Sequence, residues 1–501
     1  MPIITDIIRF ALSYRLRAID DFKAAPHKTQ QDVFERLMVS LSHTTYGKEH
    51  GITDRTTYSE YASKMPVVTY EEIEPYITSM RKGEDNILWD TPVKWFSRSS
   101  GTTNDKSKFI PVTEEGLQRC HFMGGRDVIA MTAERYPETN LFNGKQLTIG
   151  GSHNIETLSD KGIRYGDISA IMISNIPSIV AINRLPTTEI ALISDFNKKV
   201  DLICKTCYDK NVTIIAGVPS WNLVMLNKVL EYTGKDNISE VWPNLEMFFH
   251  GGICFSPYEK EYKKMIPSSN MKYTDTYNAS EGFFALQDDP LDKSLLLMLD
   301  YGVFYEFIPM SNIEDRTKTI PLEGVQCGVN YAMVISSING LWRYLIGDTV
   351  TFTSTSPYKI LITGRTKLFI NAFGEEVIID NAEKAISKAC EATNSVIFEY
   401  TAAPVYMSCK TKGRHQWAIE FKKEPSDIDL FTKTLDTAIQ ELNSDYQAKR
   451  DKDTTLLLPI ITTLKKGTFI KWLERRGKLG GQNKIPRLSN DRKHIDDLLA
   501  I

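Results

Sequence analysis

Stretches of helical period alternate with short apolar runs along most of the chain, and no other sequence feature limits the possible folds as strongly. Apolar residues recur at helical spacing over 30–41 and 114–135, and Thr113 is a candidate N-cap for the second helix. Strands are predicted within TPVKWFSRSS, KQLTIGG, VTIIAGVP and EMFFHGGI. This alternation predicts an α/β fold, with a large domain in which helices flank mixed sheets.

Strand-like segments replace this alternation beyond residue 295. FYEFIPM, GVNYAMVISS and GLWRYLIGDTV are separated by turn residues, as in an antiparallel sheet or a small barrel. After GRTK at 364–367 the pattern restarts with a β-type run, a helix that opens at Asp380 with Glu383 as a capping-box partner, and a helix over 428–442. We therefore predict a large N-terminal domain over 1–365 with a β-barrel-like part, a small α+β C-terminal domain over 366–501, and a hinge near 364–367.

The composition is that of an ordinary folded protein whose net charge does not attract polyanions. With 42% hydrophobic and 25% charged residues, the 501-residue chain resembles ordinary globular proteins. A formal net charge of -3 would not gather nucleic acid or anionic lipid. We expect neither nucleic acid nor membrane as a partner, and the oligomeric state stays open.

The cysteines indicate a reducing compartment. Seven cysteines without regular spacing argue against a disulfide framework, so we expect a cytoplasmic protein. Cys204 and Cys207 form a C-x-x-C pair within a helical pattern, which favours two buried thiols over a metal site. Asp6 and Arg9 interrupt what would be the apolar part of a signal peptide, and without 18 consecutive apolar residues no membrane span is expected.

The segment SRSSGTTNDKSKFIP, which begins at Ser97, joins hydroxyls, a glycine and cationic side chains in one strand-to-loop stretch. Gly101 lets backbone N–H groups turn inward, and Lys106 and Lys108 supply positive charge. Hydroxyl donors come from Ser99, Ser100, Thr102 and Thr103. This combination suits a polyphosphate, with an ordinary polar turn as the alternative. Lys106 stands where a P-loop NTPase needs its second glycine, which argues against that class.

Three further segments follow in a specific order before GRTK: HGGICF, TYNASEG and WRYLIGD. This order resembles the adenylate-forming superfamily of acyl-CoA synthetases, peptide-synthetase adenylation domains and luciferases. Within it, SSGTTNDKSKFIP, YNASEG, FYEFIP, RYLIGD, KKGTF and QNKIPR resemble the plant auxin-responsive acyl acid amido synthetase family, called Gretchen Hagen. The resemblance covers nearly the whole chain. Two loop positions depart from it, with Asp105 in place of the usual second glycine and Ser107 in place of the usual proline.

The resemblance implies a catalytic set and a hinge. Glu281 of YNASEG would ligate Mg²⁺, which prefers hard carboxylate oxygens. Lys484 of QNKIPR matches a late lysine that the C-terminal domain supplies to the first half-reaction, and we group Lys108 with it as a catalytic charge. Lys367 falls at the hinge, which would absorb rotation between two half-reactions.

The nucleotide would be held by a second group of residues. Asp348 of RYLIGD would accept hydrogen bonds from both ribose hydroxyls, and Arg365 of GRTK would lie near the ribose and phosphates. Tyr277 is a candidate to stack on adenine, with a buried core tyrosine as the alternative. Gly251 and Gly252 would let the main chain approach the edge of the ring.

The acid pocket is predicted between the helix after the phosphate loop and the segment GVPSWN. Candidate lining residues are Phe122, Met123, Val218 and Trp221. Arg126 is a candidate partner for the substrate carboxylate. As the alternative, the four apolar residues would pack in the core and the arginine would be exposed on the surface.

The sequence therefore predicts a ligase that uses ATP and Mg²⁺ to activate a carboxylic acid as acyl-AMP and then transfers the acyl group to an amine, with an amino acid as the expected acceptor. Two alternatives remain: an acyl-CoA ligase that forms a thioester, and a non-catalytic relative that keeps nucleotide binding. Nucleophilic hydrolases are disfavoured because the chain has no G-x-S-x-G segment.

Overall fold

The computed structural model describes residues 3–99, 108–150, 156–157, 162–253, 255, 258–366, 369–408, 411–475 and 486–501. The helices are α1 (Ile3–Ala24), α2 (Pro26–Ser42), α3 (Thr45–Glu49), α4 (Tyr58–Lys64), α5 (Tyr70–Arg81), α6 (Glu114–Gly116), α7 (Phe122–Arg135), α8 (Ile168–Ser174), α9 (Ser178–Ala181), α10 (Thr188–Ala191), α11 (Phe196–Cys207), α12 (Pro219–Thr233), α13 (Ile238–Val241), α14 (Glu259–Met265), α15 (Ile379–Thr393), α16 (Ile428–Leu442), α17 (Ser444–Arg450), α18 (Thr468–Arg475) and α19 (Lys493–Leu499).

The strands are β1 (Trp95–Ser99), β2 (Lys108–Val112), β3 (Lys145–Thr148), β4 (Glu156–Thr157), β5 (Arg164–Gly166), β6 (Arg184–Leu185), β7 (Val212–Gly217), β8 (Met247–Gly251), β9 (Lys272–Ala279), β10 (Gly282–Leu286), β11 (Leu295–Leu297), β12 (Val303–Pro309), β13 (Ile320–Pro321), β14 (Asn330–Ser337), β15 (Leu341–Thr355), β16 (Tyr358–Arg365), β17 (Phe369–Ile370), β18 (Val377–Ile378), β19 (Val396–Val405), β20 (Arg414–Lys423) and β21 (Ile460–Leu464).

Most of these strands form one large sheet, in the order β13-β12-β14-β15-β16-β11-β10-β9-β8-β7-β3-β6. From β9 to β6 the neighbours run parallel, and from β13 to β9 they run antiparallel. The strands predicted in KQLTIGG, VTIIAGVP and EMFFHGGI are β3, β7 and β8, and the α/β fold is confirmed. The strands predicted as an antiparallel sheet or small barrel continue the parallel strands edge to edge.

The helix predicted over 114–135 consists of α6, a π-helical turn (Leu117–His121) and α7. Thr113 caps it as predicted, because the N–H of Gly116 donates to Thr113 Oγ1 at 2.8 Å. The N-terminal helix α1 lies against α7. Arg15 of α1 donates to both carboxylate oxygens of Asp127 on α7, at 2.9 and 2.7 Å.

The C-terminal segment builds a small sheet, β19-β20-β21, on which α15 and α16 pack. The helix predicted over 428–442 is α16. The capping box predicted at Asp380 and Glu383 is wrong. The helix α15 begins at Ile379, and Asn381 Oδ1 accepts from the N–H of Ile378 at 3.2 Å, because an amide oxygen at the third helical position reaches the N-cap backbone.

Cys204 and Cys207 are buried in α11, as predicted, and burial raises the pKa of the Cys204 thiol to about 11. Among the described residues, no group of three or more His, Cys, Asp and Glu side chains could hold a metal ion by itself. No helix formed by the described residues is long and apolar enough to cross a membrane.

Candidate active site

A cleft of about 2230 Å³ opens where β7 and β8 end, and the turn between β9 and β10, the strands β15 and β16, and the helix α17 also border it. Most of the predicted site residues that the structure describes line it: Lys108, Phe122, Arg126, Val218, Trp221, Gly251, Gly252, Tyr277, Glu281, Asp348 and Arg365. The parallel strands β7 and β8 end at the same edge of the sheet, which brings Val218, Gly251 and Gly252 together there.

The end of β8 requires glycine for steric reasons. A Cβ atom on Gly251 would lie 2.3 Å from the carbonyl oxygen of Thr276, on the neighbouring strand β9. Gly252 has a φ of 81°, in the region that L-residues rarely adopt. The two glycines therefore allow the chain to turn sharply beside the cleft.

Glu281 lies in the turn between β9 and β10, which two hydrogen bonds hold in place. Ser97 Oγ on β1 donates to Ser280 Oγ at 2.9 Å, and Asn339 Nδ2 donates to the carbonyl oxygen of Glu281 at 3.1 Å. These bonds fix the backbone and leave the carboxylate directed at the cleft. The strand β1 that carries Ser97 also precedes the segment predicted as the phosphate loop.

Burial dominates the electrostatics of Glu281. The side chain is 8% exposed, and desolvation raises the pKa of its carboxyl to about 6 although the charge of Lys108 opposes the shift. Asp348 adds a smaller effect in the same direction as burial. Burial also lowers the pKa of Lys108, partly offset by Glu281. The two side chains thus form a desolvated pair of opposite charges.

Asp348 is held by two side chains from different strands. Tyr277 Oη on β9 donates to Asp348 Oδ2 at 2.5 Å, and Arg365 Nε on β16 lies 2.9 Å from Asp348 Oδ1. Arg365 also reaches Glu376, whose Oε1 lies 3.0 Å from Nη2. Asp348 and Arg365 are register partners on β15 and β16, so the sheet itself sets their distance.

The donor set fits a magnesium ion that a nucleotide helps to bind. Glu281 offers a carboxylate for which the structure shows no side-chain hydrogen bond among the described residues. Mg²⁺ usually takes one or two carboxylates and completes its shell with phosphate oxygens and water. A single buried carboxylate facing the cleft is therefore sufficient on the protein side.

The predicted acid pocket divides along the face of α7. Phe122 and Arg126 line the cleft, together with Val218 and Trp221 of the α12 region. Met123 is not part of this lining and packs against the core on the other side. Consecutive helical residues point about 100° apart, so Phe122 and Met123 cannot share one narrow face.

Several predicted residues lie outside the described part of the chain: Ser100, Gly101, Thr102, Thr103, Lys106, Lys367 and Lys484. For Ser99 only the backbone is described, and it pairs with Lys108 in the register of β1 and β2. The described strands thus end at the two sides of the predicted phosphate loop.

Sequence reasoning missed four residues that shape the cleft. Ser97 and Ser280 carry no distinctive signal, since serine pairs are common. Glu376 belongs to the run NAFGEEV, in which a non-glycine residue at a φ of 40° was not foreseeable. Lys449 lines the cleft from α17, in a sequence, SDYQAKR, that looks like a solvated helix.

Comparison with known proteins gives matches over most of the chain. The GH3 family N-terminal domain matches residues 15–271, the GH3 family central domain matches 296–365, and the GH3 family C-terminal domain matches 380–493. The indole-3-acetic acid-amido synthetase GH3.4 of Arabidopsis thaliana is 23% identical over 94% of this chain and 91% of that protein.

The jasmonoyl-L-amino acid synthetase GH3.5 of Oryza sativa subsp. japonica is likewise 23% identical, over 92% of each protein. Among solved structures, AtGH3.15 acyl acid amido synthetase in complex with 2,4-DB has a similar fold. Its TM-score is 0.61 at 19% identity, with 97% of this chain and 95% of that chain covered.

Proposed function

The chain belongs to the GH3 family, and from this membership we propose that it is an acyl acid amido synthetase. It is an ATP-dependent ligase that activates a carboxylic acid and joins it to an amine, which we take to be an amino acid. A carboxylate oxygen attacks the α-phosphorus of ATP, and pyrophosphate leaves. The amine nitrogen of the acceptor then attacks the acyl carbon, AMP leaves, and the nitrogen loses a proton.

One observation carries this proposal: the residues predicted for phosphate, metal and ribose come from distant parts of the sequence and line one cleft. Lys108, Glu281 and Asp348 belong to three different strand regions, and burial couples their charges. A structural role for each would not require the three to meet. Their convergence supports a nucleotide site.

The first half-reaction brings two anions together, so its catalysis depends on compensating negative charge. Lys108 supplies positive charge from the strand that follows the phosphate loop, and Arg365 supplies it from the end of β16. Glu281 would hold Mg²⁺, which would neutralise phosphate charge and polarise the α-phosphorus. Tyr277 and Arg365 each occupy one oxygen of Asp348, which fixes that carboxylate for the ribose hydroxyls.

The acid occupies the part of the cleft between α7 and the start of α12. Phe122, Val218 and Trp221 give it an apolar wall, and Arg126 offers a cation for the carboxylate before activation. The names of the two relatives refer to different acids, so they support the reaction class and leave the acid of this chain to experiment.

The C-terminal part completes the proposal. Lys484 acts in the first half-reaction. Rotation near Lys367 then moves Lys484 away from the cleft and brings the acceptor-binding surface to it. We assign phosphate binding to the predicted phosphate-loop residues Ser99, Ser100, Gly101, Thr102, Thr103 and Lys106. We place the protein in the cytoplasm, since the described cysteines are free thiols.

A screen of acids for acid-dependent pyrophosphate release tests the first step. The best acid is then incubated with ATP and either the twenty amino acids or coenzyme A, and the product is identified by mass spectrometry. An amide is the expected product. Exclusive thioester formation would replace the proposal with an acyl-CoA ligase, and ATP binding without pyrophosphate release would identify a non-catalytic relative.

A matched pair of variants links the activity to the cleft. Glu281→Ala is expected to lower pyrophosphate release by at least a hundredfold, as the loss of a charge-stabilising group does. Glu314→Ala removes an exposed glutamate outside the cleft and is expected to change nothing. Equal activity of the two variants would contradict the assigned metal site.

A further inference from the structure

Lys449 is a buried cation that forms no ion pair with an acidic side chain in the part of the chain that the structure describes. The residue is 6% exposed and lies on α17. Its Nζ atom lies 4.6 Å from the ring centroid of Trp221 on α12, and among the described residues it has neither a hydrogen-bond nor an ion-pair partner. The adjacent Arg450, by contrast, is bound to both carboxylate oxygens of Asp436, at 2.7 and 2.9 Å.

Burying an ammonium group without a counter-charge is unfavourable, and the face of an indole ring compensates only in part. Lys449 nevertheless lines the cleft, and its ammonium group is not completely enclosed by protein atoms. An anion in the cleft can therefore reach it. These features are expected of a lysine that binds an anionic ligand.

Arg184, a second buried cation of the cleft wall, does not share this accessibility. Its Nη2 atom donates to Thr188 Oγ1 at 3.0 Å, and its Nε and Nη1 atoms are sealed from solvent and have no partner among the described residues. A ligand would have to move the surrounding side chains to reach them. Lys449 is the better candidate for direct contact.

The contacts of Lys449 connect α17 to the residues at the end of β8. Trp221 lies in the first turn of α12, which begins after Val218. Val218 Cγ2 would be 3.5 Å from a Cβ atom on Gly252, at the end of β8. Trp221, whose ring the ammonium group faces, thus lies about one helical turn from the residue that borders the end of β8. Lys449 itself belongs to the C-terminal segment, so both parts of the chain line the cleft.

We propose that Lys449 binds the carboxylate of the amino acid that attacks acyl-AMP. The inference rests on the proposed function, in which the acceptor is an amine. An amino acid carries a carboxylate that must lose water when it enters the cleft, and a cation must replace that hydration. Asp445, one turn earlier on α17, also lines the cleft. A carboxylate beside the lysine disfavours a triphosphate and tolerates a zwitterion.

The test compares the best amino acid from the screen with its carboxamide, which keeps the amine and the side chain but has no negative charge. Lys449→Met keeps an apolar stem on Trp221 and removes the ammonium group. We expect it to raise KM for the amino acid about ten- to hundredfold, as the loss of a charged hydrogen bond does. KM for the carboxamide should stay within about twofold of the unaltered protein's value, since only the charge contact is lost.

Three controls define the result. Lys449→Arg keeps a cation and should restore most of the affinity for the amino acid. Lys433→Met removes an exposed lysine of α16 outside the cleft and should alter neither KM value. Acid-dependent pyrophosphate release should be the same in all four proteins, because the acceptor enters only after the first half-reaction.

Failure of this inference can be distinguished from failure of the proposed function. If Lys449→Met weakens the amino acid and the carboxamide equally, the lysine has a structural role and the inference is overturned. If it lowers pyrophosphate release, its ligand is a phosphate of the nucleotide, which also overturns the inference. If the unaltered protein releases pyrophosphate but makes no amide, the proposed function itself fails, whatever the variants do.

Discussion

Replacing Glu281 by glutamine is expected to stabilise the protein at neutral pH while it abolishes acid-dependent pyrophosphate release. The carboxyl is buried, and desolvation raises its pKa to about 6 from an ordinary value of 4.5. A folded protein therefore holds this proton more tightly than the unfolded chain does. Ionisation at neutral pH is a cost that the native state bears, and a neutral glutamine removes it.

The magnitude follows from the shift. A rise of about 1.5 pKa units corresponds to about 2 kcal/mol at pH 7.5. Stability falls as pH rises from about 4.5 to about 6, because over that range the folded state retains a proton that the unfolded state releases. The gain from Glu281→Gln should therefore shrink to about 0.8 kcal/mol at pH 5. At about 2 cal/mol/K per residue, 2 kcal/mol raises the melting temperature of a 501-residue protein by about 2 °C.

The assay is thermal unfolding of both proteins at pH 5 and pH 7.5, with and without Mg²⁺ and ATP. Without ligands the variant should melt higher at pH 7.5, with a smaller difference at pH 5. With Mg²⁺ and ATP the order should reverse, because only the glutamate gains stability from the metal. A variant that melts lower than the unaltered protein at pH 7.5 would refute the reasoning, since it would mean that the carboxylate is satisfied within the protein.

Lys484→Ala is expected to lower acid-dependent pyrophosphate release by about 10²- to 10³-fold through loss of a charge-stabilising donor, and an unchanged rate would remove the lysine from the first half-reaction. Gly251→Ala places a methyl group 2.3 Å from the oxygen of Thr276, so a lower melting temperature and weaker ATP binding by calorimetry are expected; unchanged values would contradict the required close approach. Tyr277→Phe removes a hydrogen bond to Asp348 and should raise KM for ATP about tenfold, whereas an unchanged KM would show that the aspartate needs no such support.

The order of elements was predictable because each signal is local. Apolar spacing gives α2 and α7, and alternation gives β12, β14 and β15. The joining of parallel and antiparallel strands into one sheet was not predictable, because edge-to-edge pairing depends on contacts between distant segments. The start of α15 was misplaced for a related reason. Acidic residues at Asp380 and Glu383 look like a cap, yet the amide of Asn381 makes the bond.

Only those site residues that belong to recognisable motifs were predictable from the sequence. Motif order identifies Glu281 and Asp348, but it does not show that Tyr277 donates to Asp348 or that burial raises the pKa of Glu281 to about 6. Both depend on which side chains meet across strands. Lys449 lies in no motif, and its burial against Trp221 exists only in the folded chain.

Arg365 connects the proposed nucleotide site to the predicted hinge. It binds Asp348, its register partner on the adjacent strand, and Glu376, which lies beyond residues 364–367. Glu376 has a φ of 40°, an unfavourable backbone conformation for which Asn443 provides support by donating to its carbonyl oxygen at 3.0 Å. The sheet fixes the distance between Asp348 and Arg365, so if the chain rotates at the predicted hinge, we expect the bond from Arg365 to Glu376 to break. Such a rotation would free one arm of the Arg365 guanidinium group beside the cleft, where the proposed reaction places negative charge.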